Sequence, residues 1–298
     1  MRLKLFIKHS ISNILLFLNL DTILAAYARK HRFLRKFVPK SQFYKREKFD
    51  FAITNKLTIQ IDRNDYTQWR VFSGLLSFNV ALLPFLRKGH NGALVVLDIG
   101  ANIGAYSILM ANELTERKIE FHLFEPNPKI YPTMVHNLKE LEKSSPNVRA
   151  LTNNVALGDK ADTLTLRFES RHSGAGSLAQ LHQFDEEIDV QVIALDTYIE
   201  MKALDLIDVL KIDVESFEPA VIRGGSKTIS KFKPMIYFEY SRAWFDNFTT
   251  EYVAKIIEFM ENEGYVFYIE KDQVFHEFTM STEALRGIKY SNFLAVTR

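Results

Sequence analysis

Val95-Val96-Leu97-Asp98-Ile99-Gly100-Ala101-Asn102-Ile103-Gly104 is an apolar run closed by an acid and two spaced glycines, ahead of a helically patterned segment. An unbroken row of β-branched and aliphatic residues reads as a buried parallel strand, and the turn beyond such a strand is where open α/β sheets bind ligands. Gly100 and Gly104 let backbone N–H groups approach a ligand closely, and a helix starting near Asn102 adds its positive dipole end. A nucleotide-like ligand is expected at this corner.

The companion signal lies one strand on, at Phe121-His122-Leu123-Phe124-Glu125. An acid at a second strand tip can accept both hydroxyls of a ribose. Glu125 follows Gly100 by 25 positions, near the roughly 20 of a nucleotide-binding βαβ unit. A dinucleotide turn needs Gly-x-Gly-x-x-Gly for its pyrophosphate. Here Asn102 fills the middle site, which argues against NAD. S-adenosyl-L-methionine has ribose and adenine without phosphate, and its ammonium prefers a nearby carboxylate, which Asp98 supplies. An Asp-x-Gly turn by itself also occurs at ordinary strand-to-helix junctions; Glu125 is what moves the reading toward a cofactor site.

The 298 residues suffice for one large α/β domain with additions or two small ones. Without cysteine there is no disulfide, thiolate metal site or thiol nucleophile, which fits a reducing, cytoplasmic compartment. Charge is unevenly placed. Residues 1–48 hold twelve Lys/Arg against Asp21 and Glu47, a net of +10, which leaves −8 on the rest of a chain of net +2. A basic arm on an acidic body predicts an anionic surface as partner of the arm and argues against a nucleic-acid groove on the body.

Three regions are expected: a basic amphipathic extension over 1–48, a strand-and-helix cap over 49–92, and a main domain over 93–298. Within 1–37 the apolar residues fall at helical spacing, but Asn13, Asn19 and Asp21 interrupt every long run. A spanning helix needs about 20 mostly apolar residues. Two readings stay open for this segment, peripheral contact with an anionic membrane, or an amphipathic helix packed on the body or on a second subunit; a signal segment fits less well. Pro39 to Asn55 reads as a connection, 57–61 as a strand, and Phe72 to Leu86 as a helix ended by Gly89. From Ala93, strand candidates at 94–98, 119–124, 148–152, 209–214, 235–240, 265–270 and 292–297 alternate with helix candidates at 104–114, 130–141, 218–224 and 250–262. That rhythm predicts a parallel sheet with helices on both faces. Alternating runs at 163–168 and 189–195 break it and read as an inserted β-hairpin arm.

Five motifs in order resemble the FkbM family of S-adenosylmethionine-dependent methyltransferases: Asp98-Ile99-Gly100-Ala101-Asn102-Ile103-Gly104; Phe124-Glu125-Pro126; Asn154-Val155-Ala156-Leu157-Gly158-Asp159; Leu210-Lys211-Ile212-Asp213-Val214-Glu215-Ser216-Phe217-Glu218; and Phe238-Glu239. The resemblance runs from about Leu57 to Arg298. It implies a Rossmann-like seven-stranded sheet with an antiparallel last strand. The activity it implies is methyl transfer, usually to oxygen on sugars, glycolipids or small natural products. Family members commonly carry glycine where this chain has Ser216, so the turn after Glu215 and the acceptor site are expected to differ.

Methyl transfer from a sulfonium requires an acceptor oxygen at near-attack distance and a group to take its proton. Asp213, at the tip of the fourth core strand, is the first candidate, either on the cofactor or at the acceptor. Glu215 shares its face if the strand persists and is a candidate base, and Glu239 stands at the next tip. Together they could hold a metal, though the favoured reading has none. In the plainer alternative Asp213 meets the methionine ammonium, Glu215 caps a helix and Glu239 pairs with Arg242. Asn154 is placed to address adenine or to form an Asx turn. Arg171 to Ser177 reads as a flexible polar loop, either a lid carrying His172 or a plain connection. Tyr240, Trp244, Phe245 and Phe248 wall an acceptor pocket or pack in the core. The rival of another class is an inactive cofactor-fold scaffold at a membrane.

Overall fold

The computed structural model describes residues 14–18, 20–76, 78–86, 93–179 and 184–297. Its strands are β1 (Lys48–Ala52), β2 (Thr58–Asp62), β3 (Leu94–Ile99), β4 (Ile119–Phe124), β5 (Val148–Asn153), β6 (Ala156–Gly158), β7 (Asp162–Glu169), β8 (His172–Ser177), β9 (Glu186–Ala194), β10 (Val209–Ile212), β11 (Met235–Ser241), β12 (Tyr265–Lys271), β13 (Val274–Phe278) and β14 (Tyr290–Thr297). Eight of them form the central sheet in the order β13-β12-β14-β11-β10-β3-β4-β5. β5, β4, β3, β10 and β11 run parallel, and β14 lies antiparallel between β11 and β12. The Rossmann-like α/β class follows from this order. β13 adds an eighth strand by turning back on β12 through Asp272 and Gln273, both at positive φ.

The chain steps outward from β3 through β4 to β5, then returns to the other side of β3 as β10. The carboxyl ends of β3 and β10 therefore flank a topological switch point, where such sheets open a crevice. Side chains alternate across β3 and bury on both faces. Leu94 and Val96 join a core with Ile108, Leu138 and Ile59, whereas Leu97 and Ile99 join one with Ile222, Val253 and Tyr198. Helices Ala105–Glu113 and Tyr131–Ser144 cover the first face. The second face carries helices Leu195–Lys202, Glu218–Gly224, Ser226–Phe232 and Thr250–Asn262.

The antiparallel β1–β2 pair docks on the first face. Buried Asn137 accepts from Gln60 N–H at 2.6 Å and donates to the carbonyls of Gln60 at 3.0 Å and Ile103 at 3.1 Å. One amide thus ties the pair to the glycine turn.

Several expectations need correction. Pro39 to Asn55 contains β1, whose Phe51 is buried. Of the helix expected over Phe72 to Leu86 only a short α-helix, Leu83–Leu86, is present among the described residues; the longer helix here is Tyr66–Phe72, which Asp65 caps by accepting from Gln68 N–H at 2.9 Å. It stops at Gly74, whose φ is +74°. Gly89 lies outside the described residues, as do residues 1–13 of the extension. Helices Leu195–Lys202 and Ser226–Phe232 were not expected. The inserted arm is more than a hairpin. β6, β9, β7 and β8 make a separate four-stranded sheet, and the segment read as a flexible loop is the strand β8, since its backbone pairs with β7.

Candidate active site

A cleft opens over the carboxyl ends of β3, β4 and β10, roofed by β8 and helix Tyr66–Phe72. It encloses about 1210 Å³ of non-protein space, counting the part open to solvent. Gly100, Asn102, Glu125, His172, Asp213, Glu215 and Glu239 all line it.

Gly100 holds φ at +78°, and a Cβ there would sit 1.8 Å from the Asp213 carbonyl oxygen. No other residue lets the two strand ends approach this closely. Gly104, also at +78°, precedes helix Ala105–Glu113 and packs beneath Leu138. Between them Asn102 takes φ +52°, a conformation asparagine tolerates. Its side-chain oxygen accepts from Ile103 N–H at 2.9 Å, and its amide donates to Ser173 Oγ at 3.1 Å.

Glu125 follows the last residue of β4. Its Oε2 accepts from Asn102 N–H at 2.9 Å and its Oε1 from Asn127 N–H at 2.8 Å. Burial pushes this carboxyl up to about 7, against the pull of the two N–H donors. Each oxygen retains a lone pair for a further donor.

Asp98 takes another place than its motif position led one to expect. It is fully buried below the cleft floor. Oδ2 accepts from Ser107 Oγ at 2.7 Å and Oδ1 faces Lys211 Nζ at 3.0 Å. Lys211 also donates to the Gly100 carbonyl at 3.0 Å and lies 3.5 Å from the Asp213 carboxylate. Burial opposes the ammonium charge, yet the charges of Asp98 and Asp213 hold its pKa above the ordinary range.

Asp213, Glu215 and Glu239 each turn a carboxylate oxygen into the cleft, all within 4.8 Å of one another. This convergence does not come from strand alternation. β10 ends at Ile212, and Glu215 sits at φ +53° in the following turn. Burial pushes Glu215 well above the usual carboxylate range, helped by the charges of Glu239 and Asp213. Burial and then Asp213 raise Glu239 to about 8, while Tyr290 OH donates to it and pulls the other way. The three oxygens could hold an oxygen-loving cation or face a cationic ligand. No side chain caps helix Glu218–Gly224, so the helix-capping role considered for Glu215 is not taken up; Glu218 instead ties back to the turn before that helix. That side chain accepts from Val214 N–H at 2.9 Å and from Trp244 Nε1 at 2.8 Å. Arg242 is not the partner of Glu239; Tyr290 is.

His172 lines the cleft edge-on to Tyr66, with ring centroids 5.0 Å apart. β8 is pinned rather than loose. Ser173 N–H donates to Asp65 at 2.6 Å, Gly174 N–H to Thr67 Oγ1 at 3.0 Å, and Ser177 Oγ to the Glu215 carbonyl. A Cβ on Gly174 would meet Thr67 at 2.5 Å, which explains the glycine. Asn154 is exposed, and its amide is committed to the carbonyls of Glu125 at 2.9 Å and Pro126 at 3.0 Å. Val155, Leu157, Phe124, Leu166 and Leu178 form the apolar wall there instead. Tyr240 and Trp244 are core residues, outside the cleft lining.

A family model described as the methyltransferase FkbM domain matches residues 98–267. This chain belongs to the FkbM methyltransferase family. It is 28% identical over 162 residues to the 2-O-methyltransferase NoeI of Sinorhizobium fredii (strain NBRC 101917 / NGR234), a match covering 49% of this chain and 63% of that protein. The chain thus spans less than two thirds of that relative. Among solved structures, the FkbM methyltransferase of Methylobacillus flagellatus KT aligns with a TM-score of 0.45 at 14% identity, over 68% of this chain and 43% of that one. The precorrin-6y C5,15-methyltransferase of Geobacter metallireducens GS-15 gives 0.39 at 15%, over 74% and 87%.

Ser216, the departure from the FkbM pattern, has φ +77°, a left-handed conformation that costs an L-residue about 1–2 kcal/mol. Its hydroxyl shares a hydrogen bond of 3.0 Å with Ser241 Oγ, which offsets part of that cost. Residues outside the five motifs also join the cleft of this FkbM chain. Thr67, Arg70 and Tyr106 line the cleft, and Arg70 faces Glu215 with the opposite charge. Lys211 carried a signal, since a lysine inside Val209-Leu210-Lys211-Ile212 must find an anion. Arg70 carried none, because nothing local ties its helix to this cleft.

Proposed function

We propose that this chain is an S-adenosylmethionine-dependent O-methyltransferase whose acceptor is a hydroxyl on a sugar, glycolipid or small molecule. The observation that carries the proposal is the meeting of Glu125, the Gly100 turn and three converging carboxyls in one cleft. The donor set suits the cofactor. Glu125 keeps free lone pairs for ribose hydroxyls, and the apolar wall of Val155, Leu157 and Leu166 suits a purine face. The acidic cluster complements a ligand with two positive charges, and Asp213, 41% exposed at its side chain, is the carboxylate available to an ammonium. When bound, S-adenosylmethionine supplies an electrophilic methyl group on a sulfonium.

The remaining work belongs to the protein. Glu239 has a carboxyl raised to about 8, close to the range in which a general base operates efficiently, and burial with the charges of Glu239 and Asp213 pushes Glu215 in the same direction. A nearby cation lowers such pKa values and readies the carboxylates to receive a hydroxyl proton. Pinning by Asp65 and Thr67 keeps β8 closed over the same space, which excludes water and fixes the acceptor. A relative bearing the name 2-O-methyltransferase supports transfer to oxygen.

The test is mass spectrometry of glycans and lipids from cells with and without the protein, reading increments of one methyl group. Wild type should produce the increment, and Glu215→Gln should reduce it by about 100-fold, the scale of one general base. No increment with wild type contradicts the proposal; full activity in the variant removes Glu215 as base.

A further inference from the structure

Among the described residues, fifteen large apolar side chains are exposed, and eight of them fall between Ile14 and Phe37. Phe17 is 85% exposed, Phe33 66%, Tyr27 58% and Ile23 56%. Ile23 and Tyr27 lie four apart on helix Asp21–Lys30 and share a face. The opposite face is fastened to the body. Ala25 and Ala28 are fully buried, Asp21 pairs with Arg63 at 2.9 Å, and Arg29 donates to the carbonyls of Ala52 at 2.9 Å and Ile53 at 2.5 Å. The apolar face is therefore held outward by a rigid attachment.

Cations surround it. Lys30, Arg32, Lys36 and Lys40 are exposed, and Lys36 Nζ stands 5.1 Å above the Phe37 ring. No helix among the described residues is long and apolar enough to cross a membrane. Aromatic and aliphatic tips interleaved with lysines and arginines form the pattern of a surface that lies in the headgroup region of an anionic bilayer, with rings below and ammonium groups at the phosphates. We infer that residues 14–18 and 20–40 form a peripheral docking surface for an anionic lipid bilayer.

Charge selects this occupant over a second copy of the chain. A symmetric pairing through this face would bring Lys30, Arg32 and Lys36 toward their own counterparts, whereas anionic lipid neutralises them. The body past residue 48 carries −8, so an anionic surface repels it and admits the molecule by the arm alone. The scaffold that holds the arm, β1–β2 with helix Tyr66–Phe72, also contributes Thr67 and Arg70 to the cleft wall.

The experiment is flotation of the full chain with phosphatidylcholine vesicles, with and without phosphatidylglycerol, alongside light scattering of the free protein. Binding is expected to the anionic vesicles only and to weaken with salt. Phe17→Ser combined with Phe33→Ser, and separately Lys30→Glu combined with Lys36→Glu, should each lower partitioning by about tenfold or more. These side chains are exposed, so the fold tolerates both changes. Equal binding to neutral vesicles, no binding to either, or a stable dimer abolished by the Phe17/Phe33 change would each overturn the inference. None of these readouts depends on methyl transfer.

Discussion

Lys211 stands third in a four-residue strand in which all positions are buried, and its ammonium joins Asp98, Asp213 and the Gly100 carbonyl. It neutralises the acid of the motif and fixes the floor of the cleft. Lys211→Met leaves Asp98 buried and uncompensated, a loss of about 3–5 kcal/mol; adding Asp98→Asn should restore much of it, as chemical denaturation of both variants would register. Equal stability of the single variant and wild type contradicts this role. The sequence made Glu125 legible, because an acid just past an apolar strand has nowhere to point but the crevice. It left Asp98 ambiguous for a physical reason. The same acid can face a ligand's ammonium or an internal lysine, and the lysine that decides the matter is 113 positions away.

Elements with a strong local period could be read directly from the chain. β4, helix Glu218–Gly224 and helix Thr250–Asn262 follow the expected bounds to the residue. Where pairing across the chain decides, the local pattern misled. β8, Gly-Ser-rich and loop-like, is a strand because β7, Asp65 and Thr67 take up its backbone groups. Glu215 reaches its neighbours through a left-handed turn that no alternation rule describes. The ends of β4, β10 and β11 thus gather acids whose pKa values lie above their ordinary 4.5, at about 7 for Glu125, about 7 for Glu218 and about 8 for Glu239. Between the ordinary and raised values the native state binds more protons than the unfolded chain, so stability falls as pH rises through that window. Thermal melting of the free protein should therefore lose Tm from about pH 5 to about pH 8, and Glu239→Gln should flatten the upper part of that slope. An identical slope in the variant removes Glu239 as a contributor.

At the scale of the molecule, an acidic cleft domain carries a basic, apolar-tipped arm, and both features follow from where charge lies along the chain. The sheet order exposes the ends of β3, β4 and β10 at one switch point, and the acids placed there complement a cationic nucleoside. The apolar wall and the pinned β8 complete the recess, although only the folded chain brings Arg70 to it. Titration calorimetry of S-adenosylmethionine into wild type and Glu125→Ala tests the central claim most directly. Removing a carboxylate that accepts ribose hydroxyls should weaken binding by about 10- to 100-fold, the equivalent of roughly 1.5–3 kcal/mol. Equal affinity in both proteins, or no heat with wild type, contradicts it.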